Sequence, residues 1–94
     1  MNRVLTSVND HDVYISVMDA PYRWHLHSAS DETFVVVEGT LIIEFDDETI
    51  ELQRGQILTV PAGKRHCTRP SGARSVNLTI EKKDNATVFC DAPV

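Results

Sequence analysis

The hydrophobic residues of this 94-residue chain fall into short runs separated by turn residues. The runs are rich in valine, isoleucine, threonine and phenylalanine, several alternate with polar residues, and turn signals recur about every eight to twelve positions. They are VYISVM, ETFVVVE, TLIIEF, TIEL, QILTVP and SVNLTI. β-Branched residues crowd them, and no helical apolar period is sustained. The pattern therefore predicts an all-β fold, a sandwich or barrel of short antiparallel strands.

The length predicts a single domain over residues 1–94, with a limited core because a small chain buries a smaller share of its surface. The formal net charge is −5, and the basic residues are scattered, which argues against a nucleic-acid partner. No apolar run is long enough to cross a bilayer, and the segment MNRVLTSVND lacks the apolar stretch of a signal peptide. We expect no membrane partner and a cytoplasmic location, where Cys67 and Cys90 would be free thiols.

The candidate chemistry begins in the stretch WHLHSASDETFVVVEG, residues 24–39. In a strand, alternation places His25 and His27 on the same face. After a polar turn, Glu32 opens the next strand and its carboxylate can face back toward both imidazoles. Two imidazoles and a carboxylate, without thiolates, suit a transition metal rather than a closed structural zinc site. The alternative is that both histidines lie on a polar surface face.

A second stretch, ELQRGQILTVPAGKRH, ends at His66 and makes the first one more specific. Together the two stretches resemble the paired motifs of the cupin family, in which His-x-His, Glu and Gly are followed by Gly, Pro-x-Gly and His at fixed spacings. The matching positions are His25, His27, Glu32, Gly39, Gly55, Pro61, Gly63 and His66. The chain departs from the family pattern at two flanking positions, Asp19 and Pro70, and neither is a metal ligand in the family.

The resemblance implies a small single-domain cupin, a jelly-roll barrel that holds one divalent metal near its open mouth. By that similarity the metal ligands are His25, His27, Glu32 and His66. The cofactor implied is one divalent transition metal: iron, manganese, nickel or zinc.

Strand alternation also predicts the lining of the pocket. Phe34 and Val36 would form an apolar wall beside the carboxylate, and Thr68 would return to the pocket after the histidine of the second motif. Arg23 would share the face of the paired histidines if no bulge intervenes, and a position on the rim is the alternative.

The opposite faces of these strands carry apolar side chains. Val35 and Val37 would point outward and, with Ile42 on the following strand, would leave a hydrophobic patch on one sheet. Because closed two-fold pairing is the commonest way to bury such a patch, we expect a homodimer. Small cupins are often dimeric, which agrees with this expectation.

Three histidines and one carboxylate leave positions open on an octahedral metal, which is the arrangement of a catalytic site. We therefore expect a metal-dependent enzyme, an isomerase or a dioxygenase, acting on a small sugar-like or keto-acid-like molecule. The motifs themselves contain no second acid that could act as a general base. The alternative is a non-catalytic module that binds or senses a small ligand through the metal, since fold and metal alone do not decide function.

Overall fold

The computed structural model describes residues 1–93. This part of the chain contains ten β-strands and no helix, so it also contains no helix able to span a membrane. The strands are β1 (Asn2–Val8), β2 (His11–Met18), β3 (Tyr22–His27), β4 (Glu32–Glu38), β5 (Leu41–Glu44), β6 (Thr49–Leu52), β7 (Ile57–Val60), β8 (His66–Pro70), β9 (Ser75–Lys82) and β10 (Thr87–Phe89). The all-β prediction is confirmed: every predicted run contains a strand, two of the runs extend one residue beyond it at each end, and only β1 and β10 form in segments for which no strand is predicted.

The strands form two antiparallel sheets of five strands each. The first sheet has the order β1-β2-β9-β4-β7, and the second has the order β10-β3-β8-β5-β6. From β2 onward the chain passes from one sheet to the other at every connection except the β5–β6 hairpin. This alternation is the jelly-roll arrangement, in which two sheets enclose one interior.

The interior divides into a dry half and a polar half. In the dry half, β4 and β7 of the first sheet pack against β5 and β6 of the second. The buried apolar side chains of this half are Phe34, Val36, Leu41, Ile43, Phe45, Leu52 and Val60. In the polar half, β2 and β9 face β3 and β8 across a cavity. The packed half positions the strands whose other ends carry the site.

Strand β9 has its polar face turned inward, the reverse of the usual arrangement. Asn77, Thr79 and Glu81 face the cavity, so alternation directs Leu78 and Ile80 to the outer face of the first sheet. These two aliphatic side chains are half-buried there. The first sheet therefore carries apolar side chains on its outer surface as well as in the core.

The predicted outer patch needs one correction. Val35 and Val37 belong to β4 in the first sheet, but Ile42 belongs to β5 in the second sheet. The chain crosses between the sheets at the turn after β4, so residues before and after the turn do not share a surface. Val35 is instead paired in register with Ile57 on one side and Leu78 on the other.

Gly39 makes that crossing possible. Its φ angle is 76°, in the left-handed region that side chains with a Cβ rarely adopt. A Cβ at this position would also lie 2.5 Å from the carbonyl oxygen of Arg74, which belongs to the neighbouring backbone. Two independent constraints, the backbone conformation and the close approach, therefore require glycine here.

We expect Gly39→Ala to lower the free energy of unfolding by about 3 kcal/mol, because it adds a steric overlap to the strain of a positive φ. Gly55→Ala is the matched control, since Gly55 has a φ of 84° but nothing within 4 Å of a Cβ. The control should lose only about 1 kcal/mol. Urea unfolding of both variants measures the difference, and equal losses would contradict the role of the close approach.

Candidate metal site

The two sheets bring together the four predicted metal ligands. His25 and His27 on β3 and His66 at the start of β8 come from the second sheet, and Glu32 at the start of β4 comes from the first. His25 and His66 are direct cross-strand partners. All four side chains are buried, and each offers a ligand atom within 4.8 Å of the others. The convergence that alternation predicts is present in the structure.

Backbone carbonyl groups set the orientation of two of the imidazoles. The Nδ1 atom of His25 lies 2.6 Å from the carbonyl oxygen of Arg23, and that of His66 lies 2.9 Å from the carbonyl oxygen of Lys64. A carbonyl oxygen can only accept, so Nδ1 carries the proton in both rings. In the neutral imidazole, Nε2 then keeps its lone pair, which is the state that a metal requires.

The Nε2 atoms of two histidines meet at one oxygen of Glu32. His66 Nε2 lies 3.1 Å from Glu32 Oε1. Because an ionised carboxylate can only accept, this contact is a hydrogen bond in the metal-free chain only when Nε2 also carries a proton, and a bound metal would take the place of that proton. His27 Nε2 lies 3.3 Å from the same oxygen and 3.6 Å from Glu81 Oε2, but it makes no hydrogen bond among residues 1–93. Because an unpartnered buried nitrogen is costly, this atom indicates that the site is built for a further group.

The pKa values of these groups follow from their burial and their mutual contacts. Burial opposes the ionisation of Glu32, but the imidazoles of His27 and His66 outweigh it and lower the pKa of Glu32 from 4.5 to about 2. The Glu32 carboxylate in turn raises the pKa of His27. Burial lowers the pKa of His25. In the metal-free chain Glu32 is therefore an anion at neutral pH, as a ligand must be.

The donor set fits a divalent transition metal. Three imidazole nitrogens and one carboxylate oxygen, with no thiolate among them, suit iron, manganese, nickel or zinc. The cluster could therefore hold a metal ion, and its donor atoms do not select among these four metals.

Glu81 on β9 is a second carboxylate beside the cluster, and the motifs do not contain it. Its Oε2 atom lies 3.6 Å from His27 Nε2, and its side chain is only 14% exposed. This oxygen has no hydrogen-bond partner in the described part of the chain. Burial, and then the charge of Glu32, raise the pKa of Glu81 to about 6. The signal that could have found it is the alternation of β9, whose polar side chains share one face.

The cluster opens into a cavity of about 160 Å³. The cavity is lined by Asn2, Ser16, Met18, Tyr22, His25, His27, Glu32, Phe34, Thr68, Asn77, Thr79, Glu81 and Thr87. Phe34 and Thr68 are thus among the lining residues, where the sequence places them. Val36 is not, because it lies one step deeper on β4 and is enclosed by the dry half of the interior.

Arg23 also lies outside the cavity. A β-bulge interrupts the pairing of β3 with β8 between Tyr22 and His25, so alternation does not hold across this segment. Tyr22 takes the lining position instead. The Arg23 side chain is exposed, and its guanidinium carbon lies 4.1 Å from the centre of the Phe89 ring. The prediction that Arg23 lines the pocket is therefore wrong, because it assumed that no bulge interrupts the strand.

The fold and the site together define a cupin. Residues 17–80 match the Cupin_2 family of cupin domains, and the chain belongs to this family. Over 91 residues it is 44% identical to the uncharacterized protein YdbB of Bacillus subtilis, a match covering 96% of this chain and 80% of YdbB.

Solved structures agree with this assignment. A cupin-2 domain protein from Shewanella frigidimarina superposes with a TM-score of 0.84 at 32% identity, covering 88% of this chain and 80% of that one. The DMSP lyase DddQ from Ruegeria pomeroyi superposes with a TM-score of 0.80 at 21% identity, covering 95% of this chain and 50% of DddQ. The second likeness concerns the fold alone.

We expect the purified protein to contain about one equivalent of a divalent transition metal, which elemental analysis would measure. The double variant His25→Ala, His66→Ala should lose the metal, because two of the four donors are gone. Removing a residue that only hydrogen-bonds to a metal ligand already lowers the metal affinity about 10- to 100-fold. His11→Ala is the control, since it removes the remaining histidine, which lies outside the cluster. Equal metal content in the double variant and the control would contradict the site.

Proposed function

We propose that this cupin is a small metal-dependent enzyme, of isomerase or dioxygenase type, acting on a small polar molecule. The observation that carries the proposal is the opening of the four-ligand cluster into the cavity, with His25, His27 and Glu32 forming part of the cavity wall. A metal held there would have its remaining coordination positions directed toward a bound molecule. A site that only stabilised the fold would be closed by protein ligands.

The chain supplies the other groups that such an enzyme needs. A bound divalent metal would act as a Lewis acid on an oxygen of the bound molecule. Glu81 lies beside the cluster, and its Oε2 atom makes no hydrogen bond in the described chain although His27 Nε2 is 3.6 Å away, so it can hold or accept a proton next to the reacting atoms. Tyr22 and Thr68 bring hydroxyl groups from the second sheet that can orient the molecule. Phe34 lines the cavity and belongs to the apolar core, so it forms the dry inner wall of the cavity.

A known enzyme with the same fold supports the proposal of catalysis. DddQ is a lyase with the same fold, so a jelly roll of this kind can carry an enzymatic site. Its likeness to this chain does not transfer a substrate. The feature of this chain that favours an enzyme over a ligand-binding module is Glu81, because it supplies the second acid that the motifs lack.

Turnover tests the proposal directly. Protein loaded with Fe(II), Mn(II) or Ni(II) should catalyse either aldose–ketose interconversion or oxygen uptake with a substrate from a small-molecule panel. Glu81→Gln should reduce kcat by about 100-fold or more while the metal content is retained, because a positioned acid or base contributes that much. Arg23→Gln should leave kcat unchanged, since Arg23 lies outside the cavity. Inertness across the panel with all three metals would favour the binding module.

We also propose that the protein is a homodimer joined through the outer face of its first sheet. Val35 lies there between Ile57 and Leu78. Ile57 is 64% exposed, and Val37, which stands at a register shift in the pairing of β4 with β9, is 46% exposed; both values are high for aliphatic side chains. A second copy of the chain would bury the same patch on both partners, since a two-fold interface is self-complementary.

Analytical ultracentrifugation tests this assembly. We expect the protein to sediment as a dimer and the double variant Val37→Asp, Ile57→Asp to sediment as a folded monomer, because two charges would be buried without partners in the interface. Val88→Asp is the control, since Val88 is 45% exposed but belongs to the second sheet. A monomeric wild-type protein, or a control that dissociates equally, would contradict the proposed interface.

A further inference from the structure

The charged side chains around the cavity are unevenly distributed. Two carboxylates, Glu32 and Glu81, line it, and within residues 1–93 no lysine or arginine does. The cationic side chains nearest along the chain have other contacts. The Arg23 guanidinium stacks over Phe89, and the Lys64 ammonium lies 4.2 Å from the centre of the Phe45 ring.

This distribution fixes the charge that a bound molecule can carry. On the proposed function, a divalent metal would balance the two carboxylates and leave the cavity close to neutral. A ligand with a carboxylate or phosphate group would then add a buried negative charge with no cationic side chain to pair it, which is unfavourable. A neutral ligand would add none.

The hydrogen-bonding groups of the cavity also favour a neutral ligand. The Oε2 atom of Glu81 and the Oδ1 atom of Asn77 are buried acceptors that make no hydrogen bond in the described chain, and the His27 Nε2 atom near Glu81 lies 3.6 Å away. Both side chains project from the same face of β9, with Thr79 between them. Acceptors of this kind are satisfied by O–H groups. Hydroxyl groups supply such donors, whereas a carboxylate or a phosphate brings further acceptors.

We infer that the cavity selects a neutral, hydroxyl-bearing small molecule over a carboxylate or phosphate of similar size, and that Glu81 is the residue that imposes this selection. The inference rests on the proposed metal-dependent function and names its ligand class. Of the two classes that the sequence leaves open, it favours the sugar-like molecule over the keto acid. Glu81 contributes to the selection in two ways. Its charge repels an anion, and its Oε2 atom accepts a hydrogen bond from a hydroxyl group.

Calorimetric titration of Mn(II)-loaded protein tests the selection with two matched probes. Dihydroxyacetone, a hydroxyketone, and pyruvate, a keto acid, each contain three carbons and can each chelate a metal through two oxygens. Because a metal alone favours the anion, a preference for the hydroxyketone has to come from the protein. We expect dihydroxyacetone to bind wild-type protein at least tenfold more tightly than pyruvate. Tighter binding of pyruvate, or binding of neither probe, would overturn the inference.

A Glu81 variant tests whether this residue causes the preference for dihydroxyacetone over pyruvate. Glu81→Gln should bind pyruvate at least tenfold more tightly than wild type does and should lose affinity for dihydroxyacetone. Arg23→Gln, the control, should keep the wild-type ratio. An unchanged ratio in Glu81→Gln protein that retains Mn(II) would overturn the role of Glu81. The wild-type comparison needs no variant, so it decides the ligand class even if Glu81→Gln does not fold.

These outcomes are separate from those that test the proposed function. Protein that holds Mn(II) and prefers dihydroxyacetone but turns over nothing supports the inference and makes the site a selective binding module. Protein that is catalytically active yet prefers pyruvate retains the proposed function and loses the inference.

Discussion

The site depends on two short hydrogen bonds from imidazole to backbone. His25 and His66 each donate Nδ1–H to the carbonyl group two residues earlier, and the two rings face each other as cross-strand partners. The bonds fix the tautomer as well as the ring orientation, so both Nε2 atoms are available on the interior side. The placement of Glu32 on the opposite sheet completes the arrangement. Register in one sheet and stacking of the two sheets therefore determine the ligand geometry together.

Much of this geometry can be predicted from the sequence, because it depends on strand alternation over a few residues. His25, His27 and Glu32 lie within eight positions, and His66 ends a segment whose glycines and proline have their own backbone requirements. Alternation fails at Tyr22, where a bulge of one residue exchanges the inward and outward faces of the strand and moves Arg23 away from the cavity. No feature of the sequence marks that bulge.

Glu81 could not be found by spacing, because it meets His27 only through the order of strands across the two sheets. The alternation of β9 was visible, but its direction was ambiguous. Polar residues usually face water and apolar residues the core, whereas here Asn77, Thr79 and Glu81 face inward. The same reversal directs the half-buried Leu78 and Ile80 to the outer face of the first sheet, where Leu78 lies beside Val35.

The division of the interior into a dry half and a polar half has a consequence for how this domain can change. Leu41, Ile43 and Val60 secure the two sheets at one side, and the cavity lies at the other. A substitution at Thr68 or Thr79 alters what the cavity admits without creating a void among the packed side chains. Apart from Phe34 and Met18, which belong to both regions, the residues that pack the dry half differ from those that line the cavity, so the cavity lining can change while the packed half is kept. A very small domain can in this way acquire a new ligand while it continues to fold.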